Sequence, residues 1–324
     1  MHPTIESIKD KRVIIFGDVV LDHYVWGDVE RISPEAPVPV VRVHHENDMP
    51  GAAANVAMNL AALDARAIMI GIVGDDADGQ HLRELLQQHN VDCTYLLAAP
   101  GQRTTRKTRI IARTQHVVRV DWDTLLSYSV VRHSGVLNAF ERALPACDAV
   151  IIQDYNKGLI QPALFDLVKT ISKPVIVDPN RYHAITYRGS IATPNLEEAR
   201  ILSGVACSSA DAIAHLPEIA TGFFARHDVE SLLITLGDKG IALCARDGAV
   251  QRCPAAKAHS VYDVSGAGDT VCAVLAAALA AGTPLWPACQ LANIAGGIVV
   301  GKMGTATTTR AELQELLDAV GFIA

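Results

Sequence analysis

Short apolar runs alternate along this chain with longer stretches in which apolar residues recur at helical spacing. Arg12–Phe16 is β-branched and apolar and ends at Gly17-Asp18, which predicts a buried first strand with Asp18 at its C-terminal end. Tyr24–Val29 and Val38–Val43 read as short strands separated by Ser33-Pro34-Glu35-Ala36-Pro37-Val38-Pro39. So many prolines exclude burial on both faces and put these strands at an edge or in a lid. Gly51–Leu63 reads as a helix, Ala67–Val73 as a strand and Asp76–His89 as a helix. Arg103–Ile111 and His116–Asp121 alternate about a short turn and predict a second hairpin for the lid.

From Arg132 onward the alternation is regular. Strands are expected at Ala149–Gln153, Pro174–Asp178 and Ser231–Thr235, with a hairpin over Ile241–Ala245 and Ala249–Cys253. Helices are expected at Pro162–Ile171, Leu196–Leu202, Asp211–Arg226, Asp269–Ala281 and Leu285–Val300, and a further strand at Ala258–Tyr262. Apolar strands alternating with helices imply an α/β fold with a mostly parallel sheet covered on both faces. No linker, repeat or low-complexity tract appears, so 1–324 reads as one domain, with a β lid contributed by about 23–48 and 103–121.

Composition narrows the function. Half of the 324 residues are hydrophobic, enough for a large core, and the net charge of −7 argues against nucleic-acid binding. A phosphorylated substrate then needs a local basic patch, and Arg103–Arg109 is the richest one. Seven scattered cysteines without a CxxC pair read as buried thiols in a reducing compartment. The N-terminus has no signal-peptide core, and Val271–Ala281 is too short to span a bilayer. A cytoplasmic protein without a membrane partner is expected.

The candidate chemistry gathers where strands end, which is where ligands bind in such folds. Asp18, Asp154-Tyr155-Asn156-Lys157, Asp178-Pro179-Asn180, Asn195 and Gly237 all follow expected strands. The most informative stretch is Asp263-Val264-Ser265-Gly266-Ala267-Gly268-Asp269-Thr270, a glycine-rich turn opening a helix with a carboxylate in its first turn. Free backbone N–H groups and the helix dipole suit a phosphate there, and ionised Asp269 could take a proton from a hydroxyl. The alternative is an ordinary helix N-cap. Asn195 and Glu198, three apart at a helix start, share one face, as a surface capping pair would also do. Gly296–Lys302 spells GxxxxGK, but Met303 stands where a Ser or Thr would bind Mg²⁺, so no Walker A motif is read. His44-His45-Glu46 reads as a solvated loop, not a metal site.

With these residues in view the chain resembles the ribokinase-like, or PfkB, family of carbohydrate kinases from about Lys11 to Met303. Pro50-Gly51-Ala52-Ala53-Ala54-Asn55-Val56-Ala57 resembles its N-terminal signature and Asp263–Asp269 its C-terminal one. Asn195-Leu196-Glu197-Glu198 resembles its magnesium-linked motif. Gly17–Tyr24, Arg31–Val40, Thr105–Arg109, Asp154–Leu159 and Val264-Ser265 are similar to the D-glycero-β-D-manno-heptose 7-phosphate kinases of lipopolysaccharide inner-core synthesis. Many of those carry a second, nucleotidyltransferase domain; this chain resembles the stand-alone type. Ala52 stands where a second glycine is usual, Asp64 where a glycine follows the helix, and Val264 and Val271 where Thr and Phe are usual.

The resemblance implies a ribokinase-like three-layer fold and phosphorylation of the anomeric hydroxyl of heptose 7-phosphate by ATP with Mg²⁺. Asp269 would be the general base, and Gly266, Ala267 and Gly268 would donate N–H groups to the phosphoryl group. Asn195 and Glu198 would organise a hydrated Mg²⁺, with Leu196 and Glu197 between them. Thr235, Gly237 and Asn293 would contact ATP; the glycines beside Asn293 could equally serve close helix packing. Asp18, Gly51, Asn55 and Asn156 would meet the sugar, and Lys107, Arg109 and Lys157 its phosphate. The alternative for the basic lid residues is solvated edge-strand charge. A monovalent cation such as K⁺ near Asp263 and a homodimer through the β lids are implied as well. The rival readings are a kinase of the same family for another sugar phosphate or a nucleoside, and a non-catalytic sugar or nucleotide sensor.

Overall fold

The structure, a computed structural model, describes residues 3–113, 115–256, 264–302 and 304–320. The strand expected at Ala258–Tyr262, and Asp263 with its cation site, lie outside the described residues. The chain opens with α1 (Pro3–Ile8) and β1 (Arg12–Gly17), then β2 (Val19–Ile32), β3 (Pro39–Ala52), α2 (Ala53–Ala62), β4 (Arg66–Gly74), α3 (Ala77–Gln88) and β5 (Asp92–Ala99). It continues through β6 (Arg106–Ala112), β7 (Gln115–Trp122), α4 (Tyr128–Ser134), α5 (Val136–Ala143), β8 (Ala149–Gln153), α6 (Pro162–Val168), β9 (Val175–Asp178) and β10 (Arg188–Ala192). The rest is α7 (Leu196–Ser203), α8 (Leu216–Arg226), β11 (Asp228–Thr235), β12 (Ile241–Ala245), β13 (Val250–Cys253), α9 (Ala267–Ala280), α10 (Leu285–Val299) and α11 (Arg310–Val320).

Nine strands form the large sheet in the order β13-β12-β11-β10-β9-β8-β1-β4-β5. Its pairings are parallel from β5 to β11, and the β11–β12–β13 end is antiparallel. Successive residues of one strand feed opposite cores, as two-sided burial requires. Val13 and Ile15 join a core beneath α2, α9 and α10, while Ile14 and Phe16 join the other with Phe140, Phe165 and Phe223. This is the expected three-layer α/β arrangement. The chain leaves β1 toward β4 on one side and returns to β8 on the other, so the strand order reverses between β1 and β8. That switch point opens a crevice beyond the strand ends. Among the described residues no helix is long and apolar enough to cross a membrane.

The second sheet has the order β3-β2-β6-β7. β2 and β3 are 14 residues each, far longer than the expected 24–29 and 38–43. The inner half of β2 is buried, and residues 44–46, which read as a solvated loop, lie in the edge strand β3, where His45 and Glu46 pair with Trp26 and Val25 of β2. Edge strands tolerate charge because one side faces solvent. β2 runs parallel to β6, setting Asp22 across from Lys107 and Tyr24 across from Arg109. Other departures are local. Gly51 and Ala52 close β3, so the helix expected from Gly51 starts at Ala53, and the one expected from Asp211 starts at Leu216. α1, β5, α4, α5 and α11 lacked a clear period.

Asp76 joins the two parts. It caps α3, accepting from Gly79 N at 2.9 Å, and also accepts from Thr104 N at 2.8 Å and Thr104 Oγ1 at 2.6 Å. Thr104 lies just before β6. Asp76→Ala should therefore lower unfolding free energy by about 1–2 kcal/mol for the cap alone, with the Thr104 bonds adding to the loss. Urea denaturation that shows no loss would place the link elsewhere.

Candidate active site

α9 starts at the switch point. Gly266 holds φ 77°, in the left-handed region, and a Cβ there would press to 2.7 Å from Asn55 Nδ2. No side chain among the described residues caps this helix, although Ala267 N already donates to Val264 O at 3.3 Å. Of the three expected N–H donors, Ala267 is thus engaged within the chain. A Cβ on Gly268 would meet nothing within 4 Å, so that residue borders open space.

Asp269, in the first turn, is 4% exposed. Its Oδ2 accepts from Asn55 Nδ2 at 2.8 Å, and its Oδ1 from Tyr155 OH at 2.9 Å and Gln153 Nε2 at 3.0 Å. Burial pushes its carboxyl up to about 6, against the pull of the Asn55 and Tyr155 bonds; nearby Asp22 adds to the rise and Lys107 opposes it. A base that titrates near neutrality is suited to accepting a hydroxyl proton at physiological pH.

Two cavities meet at this turn. The smaller, about 180 Å³, is lined by Asp154, Asp178, Asn180, Glu198, Gly266 and Asp269 among others. The larger, about 660 Å³, is bordered by Gly237, Ile241, Val264, Val271, Asn293 and Gly296. Asn195, Thr235 and Gly268 belong to both. Asn195 and Glu198 do form a reciprocal capping box, each accepting from the other's backbone at 2.9 Å, and both also line the small cavity. The cap and the cavity wall are one feature. Leu196 and Glu197 do not line either cavity. Leu196 packs on the core, and Glu197 turns away to a bidentate pair with Arg200 and a bond from Ser209. Asn293 lines the large cavity, but its amide donates to Pro254 O at 2.8 Å, which ties α10 to the chain leaving β13.

Burial raises Glu198 above the ordinary carboxylate range, and burial with Glu198 and Asp269 nearby raises Asp178 well above it. This concentration of carboxylates favours a cation. No three His, Cys, Asp or Glu side chains among the described residues come together as ligands of one ion. The donor set therefore fits Mg²⁺ held through its own waters, the habit of that ion.

On the other side of Asp269 lie the residues expected to meet the acceptor. Asn55 reaches Asp269 itself. The carboxylate of Asp18 accepts from Tyr155 N and Lys157 N at 3.0 Å and from Leu159 N at 3.3 Å. These bonds fold the loop after β8 around Asp18 and leave its Oδ1 with a single bond. Asn156, in that loop, donates its N–H to Asp154 at 2.7 Å. Lys157 pairs with Asp123 at 2.7 Å, Arg109 pairs with Asp22, and Lys107 Nζ sits 6.0 Å from the centre of the Tyr155 ring. Gly51 makes room for Asp22, since a Cβ there would collide with the Asp22 carboxylate.

Asp22 and Gln153 are the site residues missing from the sequence-based set; Tyr155 and Asp178 stood in it only as strand ends, with no role assigned. Asp22 is a charge inside the apolar run Val19–Tyr24, and Gln153 ends the apolar Ala149–Ile152. A lone polar residue in a buried strand is the signal that could have found both.

The crevice, the glycine turn and the buried carboxylate together mark a candidate site for phosphoryl transfer. The family model described as pfkB family carbohydrate kinase matches residues 10–312, and the chain belongs to that family. It is 41% identical over 320 residues to the bifunctional protein HldE of Vibrio vulnificus (strain YJ016), covering 98% of this chain and 66% of that protein. With HldE of Caulobacter vibrioides it shares 43% identity over 316 residues, covering 95% and 63%. The chain thus spans just under two thirds of the length of these relatives. Among solved structures, phosphofructokinase-2 from Escherichia coli in complex with substrates and products has a TM-score of 0.77 at 17% identity, covering 96% and 100% of the two chains. Ribokinase from Arabidopsis thaliana complexed with ribose and ATP has 0.68 at 20%, covering 95% and 99%. These likenesses establish the ribokinase-like fold.

The raised carboxyl of Asp269 carries a stability consequence. Its folded value of about 6 lies above the unfolded value near 3.8, so the native state loses stability as pH climbs between the two. Asp269→Asn removes that loss. The stability of the variant relative to wild type should move in the variant's favour from pH 4 to pH 6 and level off above. A pH-independent difference in denaturation midpoints would contradict the buried, ionising carboxyl.

Proposed function

We propose that this chain transfers the γ-phosphoryl group of ATP to the anomeric hydroxyl of D-glycero-β-D-manno-heptose 7-phosphate. The product is the 1,7-bisphosphate, on the way to ADP-heptose for the lipopolysaccharide inner core. The observation that carries the reading is Asp269, a buried carboxylate at a helix N-terminus where two cavities meet, with cationic side chains of the small sheet on its far side.

The apolar wall of the large cavity suits adenine and ribose, and the shared residues Thr235 and Gly268 would lead the phosphates toward Asp269. Asn195 and Glu198 would hold a hydrated Mg²⁺, whose charge offsets that of the phosphates. Asp269 takes the hydroxyl proton as the new O–P bond forms and the bond to ADP breaks. Gly268 N–H and the dipole of α9 meet the charge on the transferring group. Lys107, Arg109 and Lys157 would hold the acceptor's own phosphate. Arg109 is already matched to Asp22, whereas Lys107 has no ion pair among the described residues and is half-buried; burial lowers its pKa despite Asp22 nearby. Identity near 40% to HldE proteins supports the heptose reading.

We also place a homodimer contact on the small sheet, whose outer strands expose Val43, Val118, Val120 and Trp122. A cytoplasmic location agrees with this substrate.

Product identification after incubation with ATP and a panel of sugar phosphates tests the reaction; phosphorylation of another sugar at the expense of heptose 7-phosphate would overturn the substrate. Asp269→Asn should lose about 10²- to 10⁴-fold in kcat while still binding ATP. Wild-type turnover in that variant would remove Asp269 as base. Lys107→Ala should raise KM for the sugar phosphate about 10- to 100-fold, the worth of one charge-assisted contact, with KM for ATP unmoved. If Lys157→Ala alone shows that effect, the phosphate rests on the loop after β8.

A further inference from the structure

The hydrogen bonds to Asp269 are divided unevenly between its oxygens. Oδ1 accepts two, from Tyr155 OH and Gln153 Nε2, whereas Oδ2 accepts one, from Asn55 Nδ2. Gln153 is the last residue of β8, fully buried and registered between Gly17 of β1 and Asp178 of β9. Its amide nitrogen also donates to Asp178 Oδ2 at 2.6 Å. Two carboxylates on one amide require its NH₂ end, which fixes the orientation of the group. Gln153 Oε1 is then left buried with no hydrogen-bond partner. Leaving a buried acceptor unpaired is unfavourable, and the other residues of β8 up to Ile152 are apolar. A residue chosen for packing alone would be apolar too.

We propose that Gln153 is a positioning residue for phosphoryl transfer: it anchors Oδ1 of Asp269, leaves Oδ2 to take the acceptor's proton, and separates the base from Asp178. The proposal rests on Asp269 being the base. A carboxylate held through one oxygen presents the other in a fixed direction, which is what proton transfer in a near-attack geometry needs. Each donor also favours the ionised form, and each neighbouring carboxylate opposes it. Asp269 is faced by Asp22 from β2, Lys107 from β6, Tyr155 from the loop after β8, Asp178 from β9 and Asn55 from α2. Among the described residues, Gln153 is the one that donates hydrogen bonds to both Asp269 and Asp178.

The test is Gln153→Met, of similar length but without a donor, run beside wild type and Asp269→Asn. Kinetics with ATP and heptose 7-phosphate are followed from acid to alkaline pH, with thermal melting to check folding. We expect kcat near neutral pH to fall about 10- to 100-fold, as for loss of a hydrogen bond to a charged group, with KM for ATP unmoved. The acid limb of kcat should shift upward by about one pH unit as the ionised form loses a donor. Tyr155→Phe, which removes the other donor to Oδ1, should shift the limb in the same direction. Should Gln153→Met not fold, Gln153→Leu replaces it. A folded variant with wild-type kcat, or one whose activity falls while the limb stays in place, would make Gln153 a packing residue and overturn the proposal. Undiminished turnover in Asp269→Asn would instead fault the base itself.

Discussion

An ionised carboxylate buried among neutral groups is the demand around which this site is built. Among the described residues no cationic side chain lies within hydrogen-bonding distance of Asp269, and taking a charge out of water costs several kcal/mol even after relaxation. Three neutral donors and the positive end of a 14-residue helix offset that cost. The donors come from α2, from the end of β8 and from the loop beyond it. Only where the order of parallel strands reverses can these elements approach one point. The open end of the sheet and the acidity of the base are therefore one constraint seen at two scales.

Asp269 stands between surfaces of opposite character. The wall of the small cavity holds Asp154, Asp178 and Glu198, which favours a hydrated cation. Toward the small sheet the chain, acidic as a whole, gathers Lys107, Arg109 and Lys157. The basic side chains enter from β6 and from the loop after β8, so their positions are set by strand register and by the Asp18 carboxylate. In the proposed reaction one anionic substrate would be approached through its metal-bound phosphates and the other through side-chain cations.

Much of this was legible in the sequence wherever burial leaves a one-dimensional trace. Strands β1, β4, β8, β9 and β11 are buried on both faces and read as apolar runs; β5 mixes polar residues at the sheet edge and does not. The glycine turn before Asp269 and the Asn195–Glu198 spacing were readable because a local backbone geometry dictates them. The roles of Asp22 and Gln153 were not, since each acts through a partner more than 80 residues away, Arg109 in one case and Asp269 in the other. Asp18 was legible as a polar strand end, but its role was not. Three backbone N–H groups occupy it, and backbone donors leave no mark in a sequence.

The way the two sheets are joined has a mechanical consequence. Only Asp18 separates the end of β1 from the start of β2, and its carbonyl accepts from Ala53 N at 3.1 Å where β3 gives way to α2. At that second crossing Ala52 holds φ 55°, territory that suits glycine, so the joint is already under backbone strain. The same Asp18 clasps the loop bearing Tyr155 and Lys157. A tilt of the small sheet would twist its backbone and tug its side chain together. Docking of an acceptor on the strands and tightening of the loop around the base would then be a single motion about one hinge.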